Sequence, residues 1–514
     1  MEKKHSAWPI RLIRPVIALM LLMLVAPLNT SASAAAPDPL LGSWLFDDAP
    51  SYPGVTMMQV VRVDGAIRGT LTTRWYGAIA MRDASSDGRT LSFTIRNLND
   101  RDHPTRRWTA RIEGGVLHLT GDIWYAHTAQ AGRRGSAAEV RARTFHPAGP
   151  LPTLRTLGDD GLARTPPMGW SSWNKFGEHI DDATIRVMAD TLVTSGLRDA
   201  GYIYVNIDDG WQGERDAAGR LRSNARFPDM KALADYVHAR GLKLGLYTSP
   251  GPRTCAGYVG SYGHVRQDAA TFAAWGVDYL KYDLCSGEWF YDDADSVRRV
   301  YQEMGMALRA TGRPIVYSLC EYGRFDVADW GRAAGGHLWR TTGDITDDYK
   351  TMSDIGFVRN PRFPHAGPGG WNDPDMLEVG NGGMSEDEYR THITLWAIQA
   401  APLLMGHDLR QTSRTALALL ANREVVAVDQ DPLGAQGGPL RRSDGLEIWT
   451  KPLSGGGQAV ALFNRTDATA TISLPDSIAA GRMRDLWRGI DVPATTRNFA
   501  VPAHGAVLLR TVAG

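Results

Sequence analysis

Two aspartates near the middle of the chain have neighbours that suit nucleophilic and acid–base chemistry. Asp283 follows Lys281 by two residues at the end of an apolar run, so both side chains should point into the same space. Asp344 follows Arg340 by four residues on a different segment. A lysine would keep Asp283 ionised as a nucleophile, and a second carboxyl that carries a proton would complete the pair needed for glycosidic bond cleavage. The Lys-x-Asp spacing fits a structural ion pair equally well.

These aspartates belong to a series of short apolar segments that end in polar or aromatic residues. Six such segments are residues 166–173, 202–211, 242–251, 277–285, 315–323 and 338–345, and two more are 364–376 and 401–409. Strands of a parallel barrel are buried on both sides, and their C-terminal ends open into the loops that bind substrate. The pattern predicts an α/β fold with a (β/α)8 TIM barrel over residues 160–421. An open doubly wound sheet is the alternative, but no glycine-rich phosphate loop follows the first strand.

Helix signals alternate with these strands. Capping residues and glycine stops predict helices over residues 181–198, 229–241, 264–275 and 385–399. Asp181, Asp229 and Ser385 are the expected N-caps. Strand, helix and glycine stop therefore repeat as in a βα unit.

The sequence on either side of the barrel alternates with a period of two. Between residues 37 and 157, such runs are separated by Asp-Gly and Gly-Gly turns, which predicts a small antiparallel β domain, barrel or sandwich, of unknown role. Its aromatic residues could bind carbohydrate or form a core: Trp75, Tyr76, Trp108 and Trp124. Alternating runs at 447–453, 459–465, 470–476 and 506–512 predict a C-terminal antiparallel β-sandwich over residues 422–514.

The first residues have the composition of an export signal. Basic residues between positions 3 and 14 precede an apolar run over 16–26 and small residues over 31–36. This order predicts a signal peptide over residues 1–34 and a mature chain, secreted or periplasmic, that begins near Ala35. An uncleaved N-terminal anchor is the alternative.

The charge balance argues against nucleic acid as a partner. Lysine plus arginine equals aspartate plus glutamate at 56 each, so the formal net charge is zero. A protein that neutralises phosphates needs a basic excess. We expect neither a nucleic-acid partner nor a membrane partner for the mature protein, and the oligomeric state is not encoded in these patterns.

Export makes the three cysteines informative, because disulfides persist in oxidising compartments. Cys255 follows one predicted barrel strand and Cys285 ends the next, so the two could meet where the strand ends are neighbours. This predicts a disulfide between Cys255 and Cys285 and leaves Cys320 free. Three buried thiols are the alternative.

A second carboxylate pair, Asp208 and Asp209, ends the second predicted strand. In the loop that follows, both could accept hydrogen bonds from a polyol, or they could cap the next turn. No aspartate cluster has the ligand spacing of a calcium loop, and no histidine pair has zinc spacing. The sequence therefore predicts no required metal and no cofactor.

Residues 164–409, with the β-sandwich after them, resemble glycoside hydrolase family 27, the α-galactosidase family. The matching motifs, in the family's order, are TPPMGWSSWNKFG (165–177), IDDGWQ (207–212), RFPDMKALADYVHARGLKLGLY (226–247), TCAGYVGS (254–261), LKYDLC (280–285), SLCEYG (318–323), WRTTGDI (339–345) and GGWNDPDML (369–377). The resemblance covers about two thirds of the chain and leaves the N-terminal β domain outside.

The resemblance implies a retaining, exo-acting α-galactosidase that hydrolyses terminal α-D-galactosyl residues of oligosaccharides or polysaccharides. It implies that Asp283 is the nucleophile of a covalent intermediate and that Asp344 is the acid, then the base. It places the following residues around the sugar: Trp173, Asp208, Asp209, Tyr247, Cys255, Lys281, Glu321, Arg340 and Met376. Cys255 and Cys285 match the family's disulfide beside the pocket.

Departures from the family pattern bear on specificity. Tyr322 stands where plant-like members often carry tryptophan, and His407 stands where asparagine is common. The intact Asp208–Asp209 pair favours galactose over β-L-arabinopyranose, and Glu321 leaves little room for the N-acetyl group of an α-N-acetylgalactosaminide.

Two alternatives lie outside the family. Lys281 at a strand end could form a Schiff base in an aldolase on a TIM barrel. A catalytically inactive carbohydrate-binding protein is the other alternative, against which the presence of both aspartates argues.

Overall fold

A computed structural model describes residues 38–48, 54–96, 105–123, 126–360, 365–478, 482–493 and 495–512. The predicted signal peptide and Trp124 lie outside these residues. Within them the chain forms an N-terminal β domain, a parallel barrel and a C-terminal β domain, which is the architecture that the sequence predicts.

The described part of the N-terminal domain is an antiparallel sheet of nine strands. They are β1 (Gly42–Leu45), β2 (Val55–Val63), β3 (Ala66–Thr73), β4 (Gly77–Ala80), β5 (Arg82–Ser86), β6 (Thr90–Arg96), β7 (Thr105–Glu113), β8 (Val116–Ile123) and β9 (Ala126–Arg134). Their order is β4-β3-β2-β1-β9-β8-β7-β6-β5, and β3 approaches β5, so the sheet curls round a core. Tyr76 and Trp108 are buried in that core, which confirms the packing interpretation for these two rings.

The barrel strands are short and largely buried, as expected for strands that are covered on both sides. In chain order this region contains β10 (Met168–Ser171), β11 (Tyr204–Asn206), β12 (Gln212–Arg215), β13 (Leu221–Ser223), β14 (Lys243–Thr248), β15 (Tyr279–Asp283), β16 (Val316–Cys320), β17 (Leu338–Arg340), β18 (Trp371–Asp373) and β19 (Leu403–Met405). β12 and β13 form a hairpin that was not expected from the sequence.

The other eight strands pair in parallel in the order β18-β17-β16-β15-β14-β11-β10-β19. Leu377, just after β18, forms a parallel bridge with Met405 of β19, and its N–H donates to the Leu404 carbonyl at 2.7 Å. This contact joins the two ends of the sheet. All eight predicted strands and the barrel are therefore confirmed.

Helices precede, surround and follow the barrel strands. They are α1 (Ala137–Arg143), α2 (Trp173–Phe176), α3 (Asp182–Thr194), α4 (Met230–His238), α5 (Val265–Trp275), α6 (Ala294–Ala310), α7 (Val327–Trp330), α8 (Tyr349–Ser353), α9 (Glu386–Ile398), α10 (Arg414–Leu420) and α11 (Arg423–Asp429). The predicted N-caps Asp181, Asp229 and Ser385 are confirmed.

Helix α3 shows how local sequence sets such an element. The Asp181 carboxylate accepts a hydrogen bond from the Thr184 N–H at 2.8 Å, a cap usually worth about 1 kcal/mol. Residues at the spacing of one helix face are buried: Ile185, Met188, Ala189 and Leu192. The helix ends at Thr194, earlier than the predicted residue 198, because Gly196 takes a left-handed φ of 79°.

The C-terminal domain contains a larger and a smaller antiparallel sheet. Its strands are β20 (Gly438–Ser443), β21 (Leu446–Pro452), β22 (Gln458–Asn464), β23 (Ala470–Ser473), β24 (Arg482–Asp485), β25 (Ile490–Val492), β26 (Asn498–Val501) and β27 (Ala506–Val512). β23 pairs with β26, and the other six form one sheet. Ile472 of the small sheet and Val460 of the large one share a buried core, as in the predicted sandwich.

No helix within the described ranges is both long and apolar enough to cross a bilayer.

Candidate active site

The C-terminal ends of the barrel strands surround a small cavity of about 50 Å³ that opens to solvent. It is lined by predicted site residues, namely Trp173, Asp208, Asp209, Tyr247, Cys255, Lys281, Asp283, Arg340, Asp344 and Met376. Asn174, Tyr322 and Asp375 also line it, and the sequence did not indicate them as site residues. Glu321 is not part of the lining.

Lys281 and Asp283 lie on β15 and both face the cavity, as the alternation of a strand predicts. The nearer partner of the lysine is Asp208, with Nζ–Oδ2 at 3.0 Å, whereas its distance to Asp283 Oδ2 is 3.9 Å. Lys281 is therefore shared between Asp208 and Asp283, and the spacing of Lys281 and Asp283 did not indicate the contact with Asp208. The Lys281 ammonium group lies between the carboxylates of Asp208 and Asp283 and is 5.1 Å from the centre of the Tyr247 ring.

The charge of Lys281 is fixed by these neighbours. Burial disfavours the ammonium form, but the carboxylates of Asp208 and Asp283 outweigh that effect and hold the pKa of Lys281 well above its ordinary value. A Schiff-base lysine must instead lose its proton to become a nucleophile. The site therefore argues against the aldolase alternative.

Arg340, at the end of β17, joins a second pair of carboxylates. Its Nη2 lies 3.0 Å from Asp344 Oδ1 and 3.1 Å from Asp375 Oδ2. The surrounding protein disfavours the charge of Asp344, but the Arg340 guanidinium outweighs it and holds the pKa of Asp344 below its ordinary value. The Asp344 side chain is 67% exposed and that of Asp283 only 6%, so Asp344 lies on the solvent side of the cavity.

The geometry of Asp375 depends on an unusual backbone. Its φ is 85°, a left-handed value that costs energy for any residue but glycine. The Ile345 N–H donates to Asp375 Oδ2 at 2.9 Å, and the Trp396 indole N–H donates to the Asp375 carbonyl at 2.8 Å. These bonds hold the strained residue beside Arg340.

Asp283 is buried and has a close phenolic partner. The Tyr322 hydroxyl donates to Asp283 Oδ1 at 2.7 Å. Burial raises the pKa of Asp283 to about 6, although Lys281 and the Tyr322 hydrogen bond act in the opposite direction. Tyr322 reaches the carboxylate from a left-handed backbone with φ of 63°, which sequence patterns do not reveal.

The two adjacent aspartates after β11 face different neighbours. Asp208 turns towards Lys281, while Asp209 Oδ2 accepts a hydrogen bond from the Ala256 N–H at 2.7 Å. Burial raises the pKa of Asp209 to about 7, and hydrogen bonds from Ala256 and Thr254 counteract part of this rise. Both carboxylates also line the cavity and can accept bonds from a bound polyol.

The disulfide between Cys255 and Cys285 is present, and Cys320 is free and buried, which confirms the predicted pairing. The Tyr247 hydroxyl lies 3.0 Å from Cys285 Sγ. In the part of the chain that the structure describes, Cys255, Cys285 and Asp283 are close enough to share a metal ion. Their two sulfurs are already joined to each other, so they supply no thiolate ligands, and we assign no metal to them.

Removal of this disulfide should destabilise the protein. It spans 30 residues of sequence, for which loop-closure entropy predicts a loss of about 3 to 4 kcal/mol. The double variant Cys255→Ala/Cys285→Ala should therefore unfold about 10 °C lower in a calorimetric scan. Cys320→Ala is the matched control, and an equal drop in that variant would contradict the assignment.

Two residues singled out in the sequence have mainly local partners. Glu321 is buried, its Oε1 accepts a hydrogen bond from the Gly323 N–H at 3.1 Å, and burial raises its pKa to about 8. His407 is buried too, with its Nε2 2.7 Å from the Thr412 hydroxyl, and burial lowers its pKa to about 4. Neither side chain lines the cavity.

Comparison with known proteins identifies the family to which the barrel and its cavity belong. Residues 165–431, which contain every cavity residue, match the family model described as alpha galactosidase A. The chain belongs to the α-galactosidase family, glycoside hydrolase family 27. Residues 443–511 match the alpha galactosidase C-terminal beta sandwich domain, and neither match includes the N-terminal β domain.

Relatives in this family are similar along most of their length. An α-galactosidase of Cyamopsis tetragonoloba is 48% identical over 363 residues, which cover 69% of this chain and 87% of that protein. The structure of a Saccharomyces cerevisiae α-galactosidase with raffinose has a TM-score of 0.65 at 28% identity and covers 69% of this chain and 98% of that one. A β-L-arabinopyranosidase of Geobacillus stearothermophilus has a TM-score of 0.60 at 26% identity and covers 68% and 97%.

Proposed function

We propose that this α-galactosidase removes terminal α-D-galactosyl residues by a retaining mechanism in which Asp283 is the nucleophile and Asp344 the acid–base residue. The observation that carries the proposal is the cavity itself. Asp283 and Asp344 line it together; Asp283 Oδ2 lies 3.9 Å from Lys281 Nζ, and Asp344 Oδ1 lies 3.0 Å from Arg340 Nη2. Two carboxyl groups at one sugar site are the minimum for this reaction.

The first step breaks the bond between the anomeric carbon and the leaving oxygen. Asp283 attacks the anomeric carbon from the buried side, while Asp344 gives its proton to the departing oxygen on the solvent side. In the second step Asp344 takes a proton from water, the water oxygen attacks the anomeric carbon, and Asp283 leaves as a carboxylate. The sugar keeps its α configuration because the carbon is inverted twice.

Catalysis requires the aspartate pair to carry one proton in total, placed on Asp344. In the free protein the pKa of Asp283 is about 6 and that of Asp344 lies below its ordinary value, so the shared proton resides mainly on Asp283. A galactoside that covers the exposed Asp344 would remove water from it and favour its protonated form. The last proton leaves the pair near pH 6, so kcat/KM should fall as the pH rises through that value.

Tyr322→Phe should change this profile in a defined direction. The variant loses a hydrogen bond that favours the ionised form of Asp283, so the alkaline limb of kcat/KM should move to higher pH. The reactive form, with the proton on Asp344, becomes rarer, and the maximal kcat/KM should fall about tenfold. Initial rates measured from pH 3.5 to 8.5 would show both effects.

Tyr236→Phe is the matched control for that experiment. It removes a tyrosine hydroxyl that donates to Asp190 at 2.8 Å on the outside of the barrel. Its pH profile should match that of the wild type. An unchanged alkaline limb in Tyr322→Phe would contradict the role of the phenol.

The chemistry of the cavity supports galactose as the sugar. Asp208 and Asp209 offer carboxylate acceptors for hydroxyl groups, and Trp173 adds an aromatic side chain to the lining. We therefore propose galactose-containing oligosaccharides of the raffinose type as substrates, which the similarity to the yeast protein solved with raffinose supports.

A panel of three substrates tests this specificity. The α-D-galactopyranoside, β-L-arabinopyranoside and α-N-acetylgalactosaminide of 4-nitrophenol should be hydrolysed in that order of preference. Preference for the arabinoside would keep the mechanism and overturn the specificity. Absence of turnover on all three by folded protein would contradict the proposed function.

We also propose that the protein is exported through its N-terminal signal peptide and acts outside the cytoplasm. The order of basic, apolar and small residues before Ala35 supports this, as does a disulfide between Cys255 and Cys285. N-terminal sequencing of the protein from its native host should begin near Ala35, and a blocked or intact residue 1 would contradict cleavage.

A further inference from the structure

The N-terminal β domain packs directly against the rim of the active site. A Cβ atom placed on Gly257 would lie 3.1 Å from Trp75 Cζ2, so the indole edge lies against this glycine. The Tyr76 ring lies 4.6 Å from the Trp289 ring. Gly257 and Trp289 belong to the two loops that follow β14 and β15, the strands that carry Tyr247 and Asp283.

The segment that joins the domain to the barrel extends the same contact. The Phe145 ring lies 5.4 Å from that of Tyr262 and 5.7 Å from that of Phe290. The Ala148 N–H donates to the Tyr262 hydroxyl at 3.1 Å. Aromatic ring pairs of this kind add to the stability that an interface gains from its buried area. The domain is thus packed against both loops.

The first of these loops carries a tight turn that reaches into the site. The Gly257 N–H donates to the Thr254 carbonyl at 3.0 Å, and the Thr254 N–H donates to the Tyr258 carbonyl at 2.9 Å. Gly257 has a left-handed φ of 91°, which other residues rarely adopt. The missing side chain at Gly257 also allows the indole of Trp75 to approach the backbone.

This turn supplies two of the hydrogen-bond donors to Asp209. The Ala256 N–H donates to Asp209 Oδ2 at 2.7 Å, and the Thr254 hydroxyl is a second donor. Asp209 is fully buried and lines the sugar cavity, so its orientation depends on these partners. The turn is held by the disulfide from Cys255 to Cys285, and the indole edge of Trp75 lies against it at Gly257.

We propose that Trp75 of the N-terminal domain is a positioning residue for sugar binding, which holds residues 254–258 so that their donors orient Asp209. The proposal rests on the proposed function, in which Asp209 accepts hydrogen bonds from a galactose hydroxyl. Trp75 acts through the turn and does not touch the reacting atoms. The domain that lies outside the family match thereby completes the binding site.

Kinetics of Trp75→Ala test the proposal. A loosened Asp209 weakens ground-state and transition-state binding alike, so KM for 4-nitrophenyl α-galactoside should rise about tenfold while kcat stays within about twofold. The inhibition constant of free galactose should rise by the same factor. Trp75→Phe, which keeps an aromatic ring at this position, should restore most of the affinity.

Two further variants separate positioning from simple loss of stability. Val61 is exposed on the sheet of the N-terminal domain, and Val61→Ala should change neither KM nor the inhibition constant of galactose. Gly257→Ala places a methyl group 3.1 Å from Trp75 Cζ2 on a left-handed backbone, so it should displace the turn and also raise KM. A rise in KM for Gly257→Ala without one for a normally folded Trp75→Ala would overturn the role of the indole.

Hydrogen exchange tests the same contact without any substrate. The Ala256 amide should exchange slowly in the wild type because it is bonded to a buried carboxylate. In Trp75→Ala or Trp75→Phe, peptides that cover residues 253–258 should exchange faster in proportion to the rise in KM, while peptides of β16 and β17 should not change. Unchanged exchange at 253–258 would overturn the proposal. If the wild type hydrolyses no galactoside, the proposed function fails, and the exchange result still decides whether Trp75 holds the turn.

Discussion

Asp283→Ala should lower kcat for 4-nitrophenyl α-D-galactopyranoside by at least about 10⁴-fold. The variant lacks the carboxylate that would form the covalent bond to the anomeric carbon, and alanine offers no substitute. Asp283 is buried between Lys281 and Tyr322, so its removal leaves space for a small anion close to the same carbon. Initial rates on purified, folded variant provide the measurement.

Addition of azide to Asp283→Ala then tests whether the missing carboxylate is the nucleophile. In Asp283→Ala, azide should enter from the side of the lost nucleophile and form β-galactosyl azide, with the configuration inverted. Asp295→Ala is the matched control, because this aspartate is exposed on α6 and pairs with Arg299 four residues away. Near wild-type activity in Asp283→Ala would contradict its assignment as nucleophile.

Asp344→Ala should show a loss that depends on the leaving group. For an oligosaccharide, whose departing alcohol needs a proton, kcat/KM should fall by about 10²- to 10⁴-fold. For 2,4-dinitrophenyl α-galactoside, whose departing oxygen needs no proton, formation of the covalent intermediate should remain fast and its hydrolysis should become limiting. A burst of dinitrophenol in stopped-flow experiments would measure this difference.

Azide gives the opposite stereochemical result in this second variant. It attacks the covalent intermediate on Asp283 and should form α-galactosyl azide, with the configuration retained. Asp354 lies on the same connection after β17, where it is half-buried and paired with Arg359, and Asp354→Ala should behave as the wild type. Equal losses on both substrates in Asp344→Ala would argue against an acid role.

The barrel could be predicted from the sequence because the physical requirements of its strands and helices are met by residues close together in the chain. Strands buried on both sides must be apolar, and helices must be capped, so the strands at Val316–Cys320 and Lys243–Thr248 and the cap at Asp229 were predicted. The β12–β13 hairpin was missed because its two strands are short, only four and three residues, and carry little alternation. The predicted end of α3 at residue 198 is wrong because the left-handed Gly196 ends the helix at Thr194.

The active site could be predicted only in part, because several of its contacts join residues that are far apart in the sequence. Residue type and strand alternation place Lys281 and Asp283 on one side of β15, but the pairing of Lys281 with Asp208 depends on distances across the barrel. Tyr322 and Asp375 reach the cavity from left-handed backbone conformations that tertiary contacts impose. The positions of Tyr322 and Asp375 in the cavity therefore cannot be recognised from a periodic pattern in the sequence.

The contribution of the N-terminal domain was the least predictable feature. Trp75 lies well over 100 positions before Gly257 in the chain, and nothing in the alternation of its strands indicates which surface it meets. The structure shows the docking because the aromatic contacts of Trp75, Tyr76 and Phe145 all fall on the two loops beside the cavity.

The covalent intermediate is the central claim, and mass spectrometry of a trapped enzyme tests it most directly. A fluorinated α-galactosyl donor whose second step is slow should add one galactosyl group, and peptide mapping should locate it on Asp283. The label should be absent from Asp283→Ala and should disappear from the wild type after prolonged incubation, as activity returns. A label on any other residue, or turnover with inverted configuration and no label, would contradict the account.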